Sequence, residues 1–212
     1  MRRGGGPPGR AVRGVILDIG NVLIQLRPIE EILAGPAPVD AARPRPDAGL
    51  DPLRLLREDP VLDRLERGRA TEPEFFDCIR RLFGGHLRDE EIQAGYERIL
   101  GEPVPGMEAL VRDLRERGLR VVGLTDISPG HLSLIGRYPA VRALEAIVAS
   151  CSTACRKPEP GAFLAALAEA GTPPGETLFV DDQPANVEGA RAVGLRGMVF
   201  SGAQAIREYL GI

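Results

Sequence analysis

The chain has 212 residues, 43% of them apolar, and its 27 basic and 30 acidic side chains leave a formal net charge of −3. That length suits one domain, or one domain carrying a substantial insert, and the apolar share supports a real core rather than global disorder. The mild, evenly spread charge offers no footprint for nucleic acid, and no apolar run reaches the length of a membrane span.

Residues 1–10, Met1 to Arg10, carry the positive charge of a signal peptide without its apolar segment, so a floppy tail is expected. Arg13–Asp18 is a short apolar run that reads as a buried strand and ends on a carboxylate. From about Arg27 to Pro105 strand signals stop. Ala34–Gly49 is rich in Pro and Ala, which suits a loop or an irregular lid. Thr71-Glu72-Pro73-Glu74 is a capping box, followed at helical spacing by Phe75, Ile79, Leu82 and Phe83, then by Ile92, Tyr96, Ile99 and Leu100. Such an aromatic stripe reads as packing rather than as a ligand box.

Beyond residue 105, strands and helices alternate. Strands are expected at Leu119–Thr125, Ala143–Ser150, Thr177–Asp181 and Arg196–Phe200, and helices at Glu108–Arg117, Pro160–Ala170, Pro184–Val193 and Ala203–Leu210. Gly118, Gly171 and Gly194 follow three of these helices, where a left-handed terminator belongs. The fold class is therefore α/β: a three-layer core with a central parallel sheet, built from residues 11–26 and 105–212, plus an inserted all-helical domain over 27–104. An insert placed after the first strand lies at the carboxyl edge of the sheet, where open α/β folds bind ligands.

Three cysteines, an odd number, make no disulfide framework, and Cys151 with Cys155 lacks the second pair or nearby His of a tetrahedral metal site. Free thiols in a reducing cytoplasm are expected. The chemistry sits at the strand ends. Asp18, followed by Ile19-Gly20-Asn21, can act as a nucleophile or hard-metal ligand; Thr125-Asp126 supplies a hydroxyl and turn amides; Asp181-Asp182 places two acids side by side, which calls for a cation. Each is also ordinary turn or cap chemistry. Lys157 is the only lysine among 27 basic residues, in Arg156-Lys157-Pro158, and its slim ammonium fits a crowded anionic site that a guanidinium would not. The set, in one order along one edge, supplies what phosphoryl transfer needs.

Four motifs in order, Asp18-Ile19-Gly20-Asn21-Val22, Thr125, Lys157-Pro158 and Asp181-Asp182 with Asn186, resemble those of the haloacid dehalogenase superfamily of phosphohydrolases from Val12 to Leu210. Glu66-Arg67-Gly68 with Thr71–Phe76 resembles that superfamily's first type of helical cap, and Asp-x-Gly-Asn-Val is similar to its glucose-1-phosphate phosphatase subgroup. The resemblance implies a Rossmann-like core and a Mg²⁺-dependent phosphatase of a small phosphorylated metabolite, such as a sugar phosphate. Asp18 would form an aspartyl-phosphate, Mg²⁺ would be held by Asp18, the Gly20 carbonyl, Asp181 and Asp182, and the phosphate by Thr125, Asp126, Lys157, Gly20 and Asn21.

The pattern departs twice. Most phosphatases of the superfamily carry an acid–base Asp two positions after the nucleophile, where this chain has Gly20; a good leaving group, such as an anomeric sugar oxygen, would suffer least. Asp126 stands where Asn is common and is the expected substitute acid. Two alternatives accompany this reading: hydrolytic dehalogenation of a 2-halo acid, against which the acidic pair argues, and a phosphate-binding or regulatory protein without turnover. Arg69, His86 and Tyr96 could reach a substrate, and His131, near the second motif, could line the entrance, each with an equal alternative as an ordinary surface or loop side chain.

Overall fold

The computed structural model describes residues 11–28, 56, 58–83 and 87–212. The expected tail over 1–10, the Ala34–Gly49 loop and His86 lie outside them. Strand β1 (Gly14–Leu17) is followed by a short strand β2 (Ile24–Leu26). Helices α1 (Pro60–Glu66), α2 (Glu72–Phe83) and α3 (Asp89–Glu97) come next, then β3 (Leu100–Pro103). The alternating half contains α4 (Met107–Glu116), β4 (Arg120–Thr125), α5 (Pro129–Ile135), α6 (Pro139–Arg142), β5 (Ala146–Ala149) and α7 (Ser150–Thr153). It closes with α8 (Pro160–Ala170), β6 (Thr177–Asp181), α9 (Pro184–Ala192), β7 (Arg196–Val199) and α10 (Ala203–Leu210).

Five strands form a parallel sheet in the order β5-β4-β1-β6-β7. The chain runs outward from β1 through β4 to β5, then crosses back to β6 and β7, so the connections diverge about β1 and leave a crevice at its carboxyl end. Side chains alternate across the pleat. Val15, Leu17, Val121 and Val180 pack against Leu110 and Leu114 of α4, while Ile16, Val122, Leu124 and Phe179 pack against Phe163 and Ala166 of α8. Two covered faces explain why these strands read as continuous apolar runs. At Gly118 the φ of 80° ends α4 in the left-handed conformation that its position in the sequence predicts.

The segment between β2 and β3 has its own apolar cluster, in which Val61, Leu65, Phe75, Phe76, Ile79, Ile92 and Tyr96 meet. The capping box forms as read: the Thr71 amide donates to Glu74 Oε2 at 2.8 Å, and the Glu74 amide to Thr71 Oγ1 at 3.4 Å. One expectation is corrected. The segment is not wholly helical, because Leu100 leaves the helical stripe and begins β3, which pairs antiparallel with β2 through Ile24↔Pro103 and Leu26↔Leu100. Helical periodicity cannot distinguish the last turn of a helix from an apolar strand start. Among the described residues, no helix is long and apolar enough to cross a membrane.

Candidate active site

Four chain segments converge at the carboxyl edge of the sheet. Asp18 stands one residue beyond β1, its amide donating to the Val180 carbonyl at 2.9 Å. Asp18 Oδ1 accepts from the Ile19 amide at 2.7 Å and from Lys157 Nζ at 2.6 Å. Asp181 ends β6 with no exposed surface; its Oδ2 accepts from Lys157 Nζ at 2.8 Å and its Oδ1 from the Gln183 amide at 2.8 Å. Asn186 adds hydrogen bonds of 3.1 Å to both oxygens of Asp181.

Lys157 comes from the turn between α7 and α8, through a cis Lys157–Pro158 peptide. Its side chain is 3% exposed, and its third contact is the Leu124 carbonyl at 3.4 Å. An ammonium has three hydrogens, and here all three are spoken for. Burial by itself pushes Lys157 toward neutrality, but Asp18 and Asp181 outweigh it and hold the amine above its usual value, hence charged. The balance runs the other way at Asp18, where burial, aided by Asp181, overcomes the pull of Lys157 and raises the carboxyl from 3.8 to about 7.

Asp182 is half-buried. Its Oδ2 accepts from Asn21 Nδ2 and from Gln183 Nε2, each at 3.1 Å. Asn21 sits at a φ of 55°, and its Oδ1 accepts from the Leu26 amide at 3.0 Å, which locks the turn after Asp18. Carboxylate oxygens of Asp18, Asp181 and Asp182 lie within 4.8 Å of one another. Three acids face one ammonium in this cluster. Hard oxygen donors with unbalanced negative charge fit a divalent cation such as Mg²⁺.

Thr125, 4% exposed, and Asp126 line the same cavity. Asp126 Oδ1 accepts from the Lys157 amide at 3.1 Å, so it anchors the backbone carrying the ammonium, and burial raises its carboxyl above the ordinary value. Gly20 lies on the cavity wall; a Cβ built there would meet Leu26 Cδ1 at 2.9 Å. The Asp182 side chain makes no cap at α9. The N-terminal residue there is Gln183, with Pro184 in the first turn as expected and Asp181 taking the Gln183 amide.

The cavity measures about 340 Å³ and runs from the Asp18 edge to the segment between β2 and β3. Tyr96 and His131 border it, as does Glu66, whereas Arg69 is exposed and is not part of the wall. His131 is buried in α5, stacked on Tyr96 with ring centroids 3.7 Å apart, and its Nε2 bonds the Tyr96 carbonyl at 2.7 Å. The Tyr96 hydroxyl donates to Ser128 Oγ, the cap of α5.

Several partners escape the sequence reading. Ser128-Pro129 carries the signature of a helix start, which could have revealed α5. Glu66 pairs with Arg156 at 2.7 Å, and its carboxyl is raised by burial to about 7. Phe75 belongs to the packed stripe and also to the cavity wall, so packing and lining are one role there.

A family model described as haloacid dehalogenase-like hydrolase matches residues 12–194. The chain is 30% identical over 191 residues to a sesquiterpene phosphatase of Aspergillus oryzae, with 88% of each covered. It is 26% identical over 193 residues to a drimenol cyclase of Aspergillus calidoustus; that match takes in 89% of this chain but spans only 34% of the cyclase. A haloacid dehalogenase family enzyme of Bacteroides thetaiotaomicron, crystallised with magnesium and inorganic phosphate, has the same fold, with a TM-score of 0.74 at 24% identity over 91% of this chain and 96% of that one.

Proposed function

The chain belongs to the haloacid dehalogenase-like hydrolases, and from that premise we propose that it is a Mg²⁺-dependent phosphatase of a small phosphorylated metabolite. The observation that carries this reading is the single ammonium of Lys157 bridging Asp18 and Asp181, with Asp182 within reach of both. Asp18 and Asp182 would hold the ion with the Gly20 carbonyl, while Asp181, already engaged by Lys157, Gln183 and Asn186, would act through water. Bound there, the ion would draw charge off the phosphoryl oxygens so that one anion could approach another.

Asp18 attacks phosphorus, the ester P–O bond breaks, and the departing oxygen takes a proton; water then hydrolyses the aspartyl-phosphate, returning Asp18 and releasing phosphate. Lys157 keeps Asp18 aimed and offsets the gathering charge, and Thr125 receives the transferring group. Asp126 is the proposed proton donor: it faces the cavity, and burial raises its carboxyl toward the protonated form. The helices between β2 and β3 serve as the cap, and the three free cysteines accord with a cytoplasmic location.

The test is phosphate release from a broad ester panel with and without Mg²⁺, alongside chloride release from a 2-chloro acid. Expected are Mg²⁺-dependent phosphate, no chloride, and a loss of at least about 10³-fold in Asp18→Asn. Asp126→Asn keeps an acceptor for the Lys157 amide, so it isolates the proton: the rate falls about 10²-fold and the alkaline limb of the pH profile, where a proton donor is lost, changes. Full activity in Asp18→Asn would sink the mechanism.

A further inference from the structure

The cavity is polar at one end only. Beyond the carboxylates and Lys157, the apolar part of the wall includes Leu26, Leu62, Phe75, Ile99, Leu100 and Ile135. Several side chains there that could have met a hydroxyl-rich substrate have a polar atom engaged with protein. The Tyr96 hydroxyl donates to Ser128, His131 Nε2 is held by the Tyr96 carbonyl, and Glu66 is paired with Arg156. Burial keeps His131 below its ordinary pKa, hence neutral, so it brings no second cation to the wall. Gln183 and Asn186 are turned onto Asp182 and Asp181. Even the turn after Asp18 is covered by hydrocarbon, since Leu26 Cδ1 fills the side-chain space of Gly20.

A sugar or other polyol in such a space would lose its water without regaining hydrogen bonds, which is costly for each hydroxyl buried. A hydrocarbon chain would gain from the same walls. We propose that the leaving group is an aliphatic alcohol, so that the substrate is the monophosphate ester of a hydrocarbon chain: phosphate at the Asp18–Lys157 end, chain against Leu62, Phe75 and Ile99. This rests on the phosphatase reading above and redirects the expectation of a sugar phosphate. The volume of about 340 Å³ sets a limit, so the benefit of length stops once the wall is covered.

The experiment measures kcat/KM with Mg²⁺ for ethyl, butyl, hexyl and octyl phosphate below their micellar concentrations, beside glucose 1-phosphate and acetyl phosphate. Expected is a rise of roughly threefold per methylene, ending in a plateau, with glucose 1-phosphate below butyl phosphate. Leu62→Gln should flatten that slope. Because a variant can lose its fold, 1-octanol is also tested on the unaltered protein as an inhibitor of butyl phosphate hydrolysis, expected to compete far better than ethanol. A flat chain-length profile, or glucose 1-phosphate as the better substrate, overturns the aliphatic assignment and leaves the phosphatase reading standing. No release from any ester, acetyl phosphate included, removes the phosphatase reading and the assignment with it.

Discussion

Lys157 donates to Asp18, Asp181 and the Leu124 carbonyl at once, and its own amide is fixed by Asp126. A compact ammonium suits this buried three-acceptor pocket better than a broad guanidinium, in keeping with a lone lysine in a chain that otherwise uses arginine. Burial, aided by Asp181 and opposed by Lys157, holds the Asp18 carboxyl at about 7 instead of 3.8. As pH rises from about 4 to 7, the unfolded chain releases this proton before the folded one does, so the metal-free protein loses stability from this group over that window. A divalent ion competes with the same proton. Addition of Mg²⁺ should therefore raise Tm more at pH 8 than at pH 6, measured by thermal unfolding; an equal or smaller gain at pH 8 would contradict the assigned metal site. The convergence of Asp18, Thr125 and Asp181-Asp182 was legible because each follows or ends an apolar run, and parallel strands bring such ends to one edge, whereas Lys157 stood out as the lone lysine. The clasp of Asp126 on the Lys157 amide was not legible, since it depends on two turns 31 residues apart in the chain.

At the level of elements, the alternating half could be read from its pattern, and the short pieces could not. Helices α6 and α7 have four residues each, too few to show a period, and β2 has three. The turn after α1 shows how closely the elements are set together. Gly68 has a φ of 66°, and a Cβ there would fall 2.3 Å from the Cys151 carbonyl oxygen at α7. Beside it, Ser150 Oγ donates to the Glu66 carbonyl at 2.6 Å. Gly68→Ala should cost about 2 kcal/mol through the left-handed backbone and the contact with backbone, a fall of about 4–8 °C in Tm. An unchanged melting curve would show that the turn can move aside freely.

Across the whole molecule, polar clasps join α1 to the core beside Lys157. Arg67 reaches Glu159 at 2.6 Å and the Ala154 carbonyl at 3.0 Å, while Arg156 reaches Asp63 at 2.8 Å and Glu66 at 2.7 Å. Removing one arm by Arg67→Ala should weaken this seating by about 1 kcal/mol, roughly fivefold in local opening. Hydrogen exchange should show it as faster amides in α1 and α2 with β1, β4 and β6 unchanged. Equal acceleration in the sheet would mean that the two parts unfold together. The charges of Glu66-Arg67 and Arg156 were visible in the sequence, but their pairing across some 90 residues was not, because surface-like charge gives no periodic signal.

The pairing of β2 with β3 has an engineering consequence. Both passages of the chain between the catalytic edge and the covering helices run through one narrow antiparallel ribbon, with Leu26 opposite Leu100. A segment that departs and returns through adjacent doors can be exchanged as a cassette: replacing everything between those two leucines should change the substrate range of the proposed phosphatase while Asp18, Lys157 and Asp181 keep their places.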